Sequence, residues 1–493
     1  MKSMESMEIS AAKVQASVSR NTWKATAWKR CLRTVFRLQR RIWKAVREGS
    51  TRKARFLQKI LIRLKAARML AVRQVTQLNA GKKTAGVDGK SRLNNTERLQ
   101  LVDSLKAANR WQHNKLRQVP IPKPDGTTRV LKIPTIADRA WQCLCKLAIE
   151  AAHEALFHKR SYGFRPGRSA HDAQKILFNN LNSHVRGYEK RILELDIEKC
   201  FDRIDHKAIL DRIIAPQSIK QGLFKCLKSG VEVEFPEQGT PQGGVISPLL
   251  ANIALNGVEE IHHSIRYADD MVFVLKPKDD ATAILGKVTE FLAGLGLKVK
   301  ASKTKLVSAL NGFDFLGWKF YVQANNGKFR STPSTANFEK FRKKVKVIAN
   351  NSYMGAKVKA KNIRPVVRGW RNYHQYTKLK GSRFSLWRLN HSTFKKFLQE
   401  KTATRYSAAA LVKKAFPYVR HKENGHVSVK GDASPFDGNV IYWHKRNPDK
   451  YMATTDKSRS VKTTGTQILG KPCCREPCAG KPARTDLNKR RVA

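Results

Sequence analysis

Two strand-like runs in the middle of the chain flank an adjacent pair of carboxylates. Residues 265–267 precede Ala268, Asp269 and Asp270, and the apolar residues 271–274 follow them. Two adjacent carboxylates cannot be buried without a counter-charge, so the pair belongs at the tip of a hairpin. The chain must therefore form an antiparallel sheet that presents two negative charges at one of its turns.

A third carboxylate precedes this pair in a similar setting. Strand alternation over residues 192–197 places Asp196 opposite three apolar side chains, those of Leu193, Leu195 and Ile197. Asp196 can therefore leave the core face and point into a cleft. Divalent cations relieve the repulsion between carboxylates, and two of them about 3.5–4 Å apart stabilise both oxygens of an in-line phosphoryl transfer. Taken alone, however, an Asp-Asp pair is more often a solvated turn than a metal site.

The net charge of the chain favours work on a polyanion. Lys and Arg number 97 against 38 Asp and Glu, which gives a formal charge of +59 spread over nearly all 493 residues. Each phosphate that such a chain neutralises releases condensed counter-ions, and this favours nucleic acid as the partner. A solvated basic surface or a membrane-surface protein is the alternative.

The compartment is expected to be intracellular, with no membrane partner. No run of about 18 apolar residues occurs, and the first 20 residues lack the apolar core of a signal peptide. Five cysteines are scattered singly, which suits reduced thiols better than a disulfide framework. They are Cys31, Cys143, Cys145, Cys200 and Cys226.

Hydrophobic periodicity divides the chain into a helical first part, a mixed middle part over about 110–320 and a helical part over about 334–415. The middle part has short strands and helices punctuated by Pro and Gly, which predicts an α+β domain with an antiparallel sheet. The expected helices cover about 22–48, 52–78, 335–350, 362–378 and 384–400.

Three motifs carry the carboxylates and their surroundings in a fixed order. They are Asp-Ile-Glu-Lys-Cys-Phe-Asp at 196–202, Gly-Thr-Pro-Gln-Gly-Gly-Val-Ile-Ser-Pro at 239–248 and Tyr-Ala-Asp-Asp at 267–270. This ordered set resembles three polymerase motifs of reverse transcriptases. A set of this kind does not arise by chance, so the Asp-Asp pair is interpreted as a metal site.

The resemblance extends to both sides and is specific to group II intron-encoded reverse transcriptases. Residues 117–139 and 161–169 are similar to fingers motifs of that family, and residues 81–89 resemble the extension before its fingers. Gly-Trp-Arg-Asn-Tyr-His at 369–374 resembles its maturase, or X, domain. The match covers about residues 22–445.

The resemblance implies a right-hand polymerase of the α+β class, with fingers, palm, a helical thumb/maturase domain and a small basic C-terminal module. The implied divisions are an N-terminal tail (1–21), a basic helical extension (22–110), fingers and palm (111–325), thumb (326–415), a DNA-binding module (416–451) and a basic tail (452–493).

The family pattern also implies roles for single residues. Asp196, Asp269 and Asp270, with the backbone carbonyl of Ile197, would hold two Mg²⁺ ions, and Lys303 would supply the proton for pyrophosphate departure. Since three other lysines lie near Lys303, that choice is weaker.

The implied deoxynucleotide site combines four residues, Lys123, Arg129, Phe201 and Gln242. Phe201 falls where a bulky ring closes the space that a ribose 2′-hydroxyl needs, and plain core packing is its alternative. Gln242 would line the pocket, and the two cations would hold the triphosphate, although template binding is the alternative for either of them.

The implied RNA contacts of the thumb are cationic and stacking groups. They are Arg364, Arg368, Arg371, Tyr373 and His374. Core packing is the competing interpretation of Tyr373 and the preferred one for the neighbouring Trp370.

The tail departs from the family, many of whose members end in a His-Asn-His endonuclease. Cys473, Cys474 and Cys478 are present, but the last histidine is His444, so four ligands of a structural zinc site cannot be assembled. We interpret residues 452–493 as a lost or degenerate endonuclease and expect no second-strand cleavage. A basic extension or an intermolecular metal site is the alternative.

The function implied is that of an RNA-directed DNA polymerase that binds its group II intron RNA, assists splicing and acts in retrohoming by target-primed reverse transcription. Its partners would be the intron RNA, target DNA and deoxynucleotides, and a homodimer is allowed for. The expected location is the cytoplasm, at the nucleoid of a bacterial host, as a ribonucleoprotein.

Three other functions stay open. A reverse transcriptase repurposed by the host, for defence or in association with a CRISPR system, would keep the palm but would need no intron. A splicing-only maturase is disfavoured by the three carboxylates, and an RNA-dependent RNA polymerase is disfavoured by Phe201.

Overall fold

The computed structural model describes most of the chain between Trp23 and Pro417. The described residues are 23–122, 126, 128–229, 237–241, 243–377, 379, 383–400 and 403–417, followed by the backbone of 440–444 and 447–453. Only the backbone is described at Arg129. The predicted tail 1–21, most of the module 416–451 and nearly all of the tail 452–493 lie outside these residues.

Three basic helices open the described chain: α1 (Trp28–Arg47), α2 (Thr51–Arg63) and α3 (Lys65–Arg73). In α1 the apolar residues recur every three or four positions, so one face is buried and the cations lie on the others. The single helix expected over 52–78 is wrong. Leu64 takes an extended backbone, with ψ 126°, and residues Gln74–Leu78 form a π-helical turn. The break allows both α2 and α3 to pack on the same long helix, described next.

That long helix is α5 (Ile136–Glu154), which is buried over most of its length. Before it come α4 (Asn95–Ser104), whose first turn is fixed by a reciprocal Asn94–Glu97 capping box, and a hairpin of β1 (Arg117–Pro122) and β2 (Thr128–Ile133). Trp141 and Leu144 of α5 have no exposed surface. They lie at the centre of a core that also includes the three N-terminal helices.

An antiparallel four-stranded sheet follows, formed by β3 (Arg191–Leu195), β4 (Ser264–Tyr267), β5 (Asp270–Leu275) and β6 (Lys305–Ser308) in the order β4-β5-β3-β6. Leu193 and Leu195 face the core around α5, whereas Ile192 faces a second core on the other side. The sheet is therefore buried on both faces, and the α+β organisation expected for 110–320 is confirmed.

Seven helices precede or connect the strands of this sheet in sequence. They are α6 (Ala170–Leu181), α7 (Cys200–Arg203), α8 (His206–Arg212), α9 (Gln217–Lys228), α10 (Ser247–Leu255), α11 (Val258–Ile261) and α12 (Ala281–Ala293).

A small sheet and four helices follow, as far as residue 417. The strands are β7 (Phe313–Phe315), β8 (Trp318–Val322) and β9 (Phe329–Pro333), and the helices are α13 (Thr335–Ala349), α14 (Ala356–Tyr373), α15 (Trp387–Leu398) and α16 (Arg405–Ala415). The helices have a core of their own. Helix α14 begins earlier than the expected 362, because Ala356 and Ala360 of its first turns are buried in that core.

Further along, the backbone of β10 (Val440–His444) pairs antiparallel with that of β11 (Asn447–Ala453). Among the described residues, no helix combines the length and the apolar character that crossing a membrane requires.

The shared core predicts that the N-terminal helices and the palm unfold together. Ile42 of α1 has no exposed surface, so Ile42→Ala should lower the free energy of unfolding by about 2–5 kcal/mol. Phe56 of α2 is 60% exposed and is the control, because Phe56→Ala should change that free energy by less than about 0.5 kcal/mol. Urea unfolding of the two variants measures both values. Equal effects would contradict the described burial.

Candidate active site

The carboxylate pair lies at the turn between β4 and β5, as expected. Tyr267 pairs with Asp270 across the hairpin, which leaves Ala268 and Asp269 as the two turn residues. Ala268 has φ +60°, a left-handed conformation that residues other than glycine rarely adopt. The turn therefore has a defined backbone conformation, which sets the direction in which the side chains of Asp269 and Asp270 leave the backbone.

The third predicted carboxylate reaches the same place from the centre of the sheet. Strand β3 pairs with β5 so that Leu195 lies opposite Met271, and Asp196 is the next residue after β3. Burial, together with the charges of Asp269 and Asp196, raises the pKa of Asp270 to about 7. Asp270 still reaches solvent, and a cation bound there would relieve the repulsion between Asp270 and its like-charged neighbours.

Lys303 forms an ion pair with one carboxylate of this cluster. Its Nζ is 2.7 Å from Asp196 Oδ2, and the hydrogen bond to that carboxylate raises the pKa of Lys303. The side chain is 60% exposed, whereas that of Asp196 is 22% exposed. Of the lysines near this segment, the structure therefore favours the predicted one as the partner of the carboxylates.

The backbone beside Asp196 leaves one predicted ligand available. The Lys300 amide donates to the Asp196 carbonyl and the Glu198 amide donates to the Lys298 carbonyl, each at 2.9 Å. In this narrow antiparallel pair, Ile197 lies opposite Val299, and its own carbonyl takes no part in the pairing. Its role as a metal ligand stays a prediction.

The chemistry of the donors fits a hard divalent cation, because such cations prefer oxygen ligands and three carboxylates lie at the same end of the sheet. Within the described part of the chain, no three His, Cys, Asp or Glu side chains are placed closely enough to hold one ion together. The structure thus brings the predicted ligands to one end of the sheet, with Lys303 against Asp196.

Phe201 lies on α7 and is only partly buried, so it is not part of the described cores. Its carbonyl accepts hydrogen bonds from the Thr240 amide at 2.6 Å and the Thr240 hydroxyl at 3.3 Å. Gly239 has φ +91°, and a Cβ there would lie 2.8 Å from the Asp202 carbonyl oxygen. The Gly-Thr-Pro-Gln-Gly-Gly loop therefore packs directly on the helix that carries Phe201.

The same loop also approaches the fingers. A Cβ on Gly243, which has φ +125°, would be 3.0 Å from the Lys132 carbonyl of β2. Gln142 of α5 fixes the loop by accepting a hydrogen bond from the Val245 amide at 2.7 Å. Sequence reasoning missed Gln142, because an isolated glutamine on a buried helix carries no motif.

Of the four predicted nucleotide contacts, Phe201 is the one whose side chain belongs to the described residues. Lys123 and Gln242 lie outside the described residues, and for Arg129 the structure gives only the backbone, which pairs with Ile121 in the fingers hairpin. Their roles stay predictions.

The predicted RNA contacts of the thumb divide into two groups. Arg364 is exposed and Arg368 and Arg371 are partly exposed, so these cations are accessible. Tyr373, in contrast, donates from its hydroxyl to the Leu316 carbonyl at 2.6 Å and stacks on Trp318, with ring centroids 4.3 Å apart.

The interpretation of Tyr373 and His374 as RNA contacts needs correction. His374 has no exposed surface and packs against Trp318 and Trp370, and the Tyr373 ring is held between helix α14 and strand β8. Both side chains join the thumb to the small sheet. Trp370 is 7% exposed and lies in the thumb core, as expected.

Sequence reasoning also missed a buried charge behind the catalytic turn. Arg266 of β4 is fully buried and forms an ion pair with Glu259, which is fully buried too. The available signal was an arginine inside an otherwise apolar strand, but among so many surface arginines it was not distinctive.

Fingers, a palm sheet with three carboxylates at one end and a helical thumb define a right-hand polymerase, and this prediction is confirmed. Residues 121–320 match the family model described as reverse transcriptase (RNA-dependent DNA polymerase). Residues 23–105 match the N-terminal domain of reverse transcriptase, and residues 338–410 match the group II intron maturase-specific domain. The chain is an RNA-directed DNA polymerase. It belongs to the family of group II intron-encoded reverse transcriptases and maturases.

Relatives among characterised sequences agree with this family. The chain is 37% identical over 409 residues to maturase-like protein 1 of Euglena gracilis, covering 81% of this chain and 89% of that protein. It is likewise 37% identical over 394 residues to maturase-like protein 1 of Euglena longa, covering 79% and 86%. The group II intron-encoded protein LtrA of Lactococcus lactis is 33% identical over 168 residues, which is 33% of this chain and 27% of that protein.

The raised pKa of Asp270 predicts a pH-dependent effect of Asp270→Asn. The folded-state pKa is about 7 against an ordinary value of 3.8, so between these values the folded protein binds more protons than the unfolded chain. Its stability must then fall as pH rises through this window. Asparagine carries no charge, so without divalent metal the melting temperature of the variant minus that of the wild type should grow from about pH 5 to about pH 8. Saturating Mn²⁺ should shrink this difference. A difference in melting temperature that stays constant from about pH 5 to about pH 8 would contradict the raised pKa of Asp270.

The position of Phe201 predicts that its ring makes the polymerase prefer deoxynucleotides to ribonucleotides. Phe201→Ala should raise ribonucleotide incorporation relative to deoxynucleotide incorporation, because the smaller side chain leaves room for a 2′-hydroxyl. Single-nucleotide extension with matched ribo- and deoxynucleotides measures the ratio. Phe224→Ala, at an exposed aromatic position on α9, is the control and should leave the ratio unchanged. An unchanged ratio in Phe201→Ala would return Phe201 to a packing role.

Proposed function

We propose that this polymerase works with the RNA of a group II intron: it binds that RNA, assists its splicing and acts in retrohoming by target-primed reverse transcription. The observation that carries the proposal is the match of residues 338–410 to the group II intron maturase-specific domain, in the same chain as the assembled palm carboxylates. A polymerase that only copied RNA would not need that domain.

In this proposal Asp196, Asp269 and Asp270, with the Ile197 carbonyl, hold two Mg²⁺ ions. Bound there, the cations would supply the positive charge that stabilises the attacking and leaving oxygens of nucleotidyl transfer. Lys303 carries its proton at Nζ beside Asp196, which makes it the proposed donor to the departing pyrophosphate.

The nucleotide would bind between α7 and the fingers. Phe201 would exclude the ribose 2′-hydroxyl, and Gln242 would line the pocket in the loop that packs on both elements. Lys123 and Arg129, which flank the turn of the fingers hairpin, would neutralise the triphosphate.

The intron RNA would bind along cationic surfaces, because each phosphate contact releases counter-ions. Arg364, Arg368 and Arg371 of α14 supply such charges on the thumb, and the exposed cations of α1 and α2 supply others. Target DNA would bind the module at 416–451. The ribonucleoprotein would act in the cytoplasm, at the nucleoid of a bacterial host. The homodimer allowed for above has no support in the described residues.

A second candidate is a maturase that assists splicing without copying RNA. The relatives from Euglena gracilis and Euglena longa are both named maturase-like proteins, and that name is the observation in its favour. The carboxylate cluster argues against it, since a splicing role alone needs no metal ligands in the palm.

Asp269→Asn separates the two activities. It removes one charge from the proposed metal site without touching the thumb, so primer extension on an RNA template should fall by several orders of magnitude. Protein-assisted splicing of a precursor built from the RNA that flanks the reading frame should persist. Asp211→Asn, the same change at an exposed position of α8, is the control and should leave both assays unchanged.

The outcomes are distinguishable. Near-normal extension by Asp269→Asn would overturn the metal assignment. Normal extension by the wild type without any effect on splicing would overturn the intron partnership and favour a host-repurposed reverse transcriptase.

A further inference from the structure

Arg266 lies in β4, three residues before the catalytic Asp269, with its side chain buried inside the palm. Its Nε donates to Glu259 Oε1 at 2.6 Å, and its Nη1 donates to Asn252 Oδ1 at 2.9 Å and to the Ala268 carbonyl oxygen at 3.0 Å. A buried guanidinium loses its hydration and is tolerated only where partners replace the lost hydrogen bonds. Arg266 therefore has one defined position, and one of its three partners belongs to the catalytic turn.

The Ala268 carbonyl is an informative partner. It belongs to the peptide bond that leads directly into Asp269, so its direction sets the direction of the Asp269 backbone. Ala268 holds φ +60°, which an alanine adopts only when its surroundings enforce it. The hydrogen bond from Arg266 is one such constraint, applied from inside the palm.

A second constraint on the same turn comes from the backbone of Tyr162 and Gly163, which lies against it. A Cβ on Gly163 would lie 2.4 Å from the Ala268 nitrogen, so the two backbones are in direct contact and only glycine fits. The Tyr162 amide donates to the Arg266 carbonyl at 2.9 Å. Asn252 joins both sides, since its Nδ2 donates to the Gly163 carbonyl at 2.8 Å while its Oδ1 accepts from Arg266.

We propose that Arg266 is a positioning residue for cation binding: by holding the Ala268 carbonyl it fixes the left-handed turn that aims Asp269 and Asp270 at Asp196. The inference rests on the metal assignment made above. Without the guanidinium fork the peptide between Ala268 and Asp269 relaxes, the carboxylates separate and the affinity for divalent cations falls. Binding of RNA, which uses other surfaces, is not affected.

The alternative is a buried ion pair that only stabilises the fold, and the described chain contains a similar pair for comparison. Arg165 and Glu154 are 2% and 0% exposed, and Arg165 donates to both carboxylate oxygens, at 3.0 and 2.9 Å. Arg165 also donates to the His158 and Ser161 carbonyls. None of these hydrogen bonds ends on residues 266–270. This pair therefore has the burial and chemistry of the Arg266 pair, but it reaches the turn only indirectly, through the Ser161–Tyr162 peptide whose amide donates to the Arg266 carbonyl.

The test compares Arg266→Lys with Arg165→Lys in the full-length protein. Lysine keeps the charge but lacks the planar fork that reaches separate acceptors. Mn²⁺ binding is measured directly by electron paramagnetic resonance, together with the Mg²⁺ concentration that half-saturates primer extension. Arg266→Lys should lower the Mn²⁺ affinity about 10–100-fold and raise the half-saturating Mg²⁺ concentration by a similar factor. Loss of the partners that orient metal ligands has an effect of about this size. Arg165→Lys should destabilise the fold similarly and change the Mn²⁺ affinity much less than Arg266→Lys does, because it has no hydrogen bond to the turn itself.

A rescue distinguishes positioning from stability. Glycine adopts the left-handed conformation freely, so adding Ala268→Gly to Arg266→Lys should restore part of the Mn²⁺ affinity. Equal Mn²⁺ affinity in Arg266→Lys and Arg165→Lys would overturn the inference, and so would failure of the glycine to restore any affinity. If Arg266→Lys does not fold, Asn252→Leu replaces it. This variant removes the residue that joins both sides of the turn, and unchanged affinity would again overturn the inference.

Failure of this inference and failure of the metal assignment give different results. If the carboxylates do not bind the metal, Asp269→Asn will leave Mn²⁺ affinity at the wild-type value. If only the role of Arg266 is wrong, Asp269→Asn will lose Mn²⁺ affinity while Arg266→Lys keeps it.

Discussion

Three like charges held at one end of a buried sheet are the constraint on which the rest of the structure depends. Neighbouring carboxylates repel each other, and burial together with this repulsion raises the pKa of Asp270. The sheet nevertheless keeps them together, because the register between β3 and β5 is fixed by apolar faces on both sides. A slip of one residue would exchange the two faces, so the position of Asp196 beside the hairpin is as secure as the core itself.

The two cores assign different tasks to the two sides of this sheet. On one side the N-terminal helices, α5 and the palm helices form a single apolar cluster, so the extension before the fingers is part of the polymerase core. On the other side the sheet contacts β7–β9, where Trp318 stacks on Tyr373 of the thumb. The Tyr373 hydroxyl also holds the Leu316 carbonyl, at a residue with φ +52°. The thumb is thereby anchored to the turn between β7 and β8.

The basic side chains lie mainly on the outer faces of the helices, away from the apolar cores. Apolar stripes of the basic helices face inwards and their cations face outwards, so a chain of formal charge +59 still buries extensive cores. Among the buried cations of the described residues, Arg266 and Arg165 each have a carboxylate partner within hydrogen-bond distance. Surface cations provide the long-range attraction to nucleic acid, whereas buried ones fix backbone geometry.

The sequence by itself determined the local features: the helical period of α1, the hairpin that carries Asp269 and Asp270, and the alternation that frees Asp196. Each depends on neighbours within a few residues, which is why a periodic pattern predicts it. Only the tertiary structure decided the break at Leu64, the burial of His374 and the partners of Arg266. Those depend on contacts between segments far apart in the chain, such as α14 with β8 and α10 with β4. Sequence pattern shows that a residue is polar or aromatic, but only the packing of distant segments decides whether it faces solvent or another side chain.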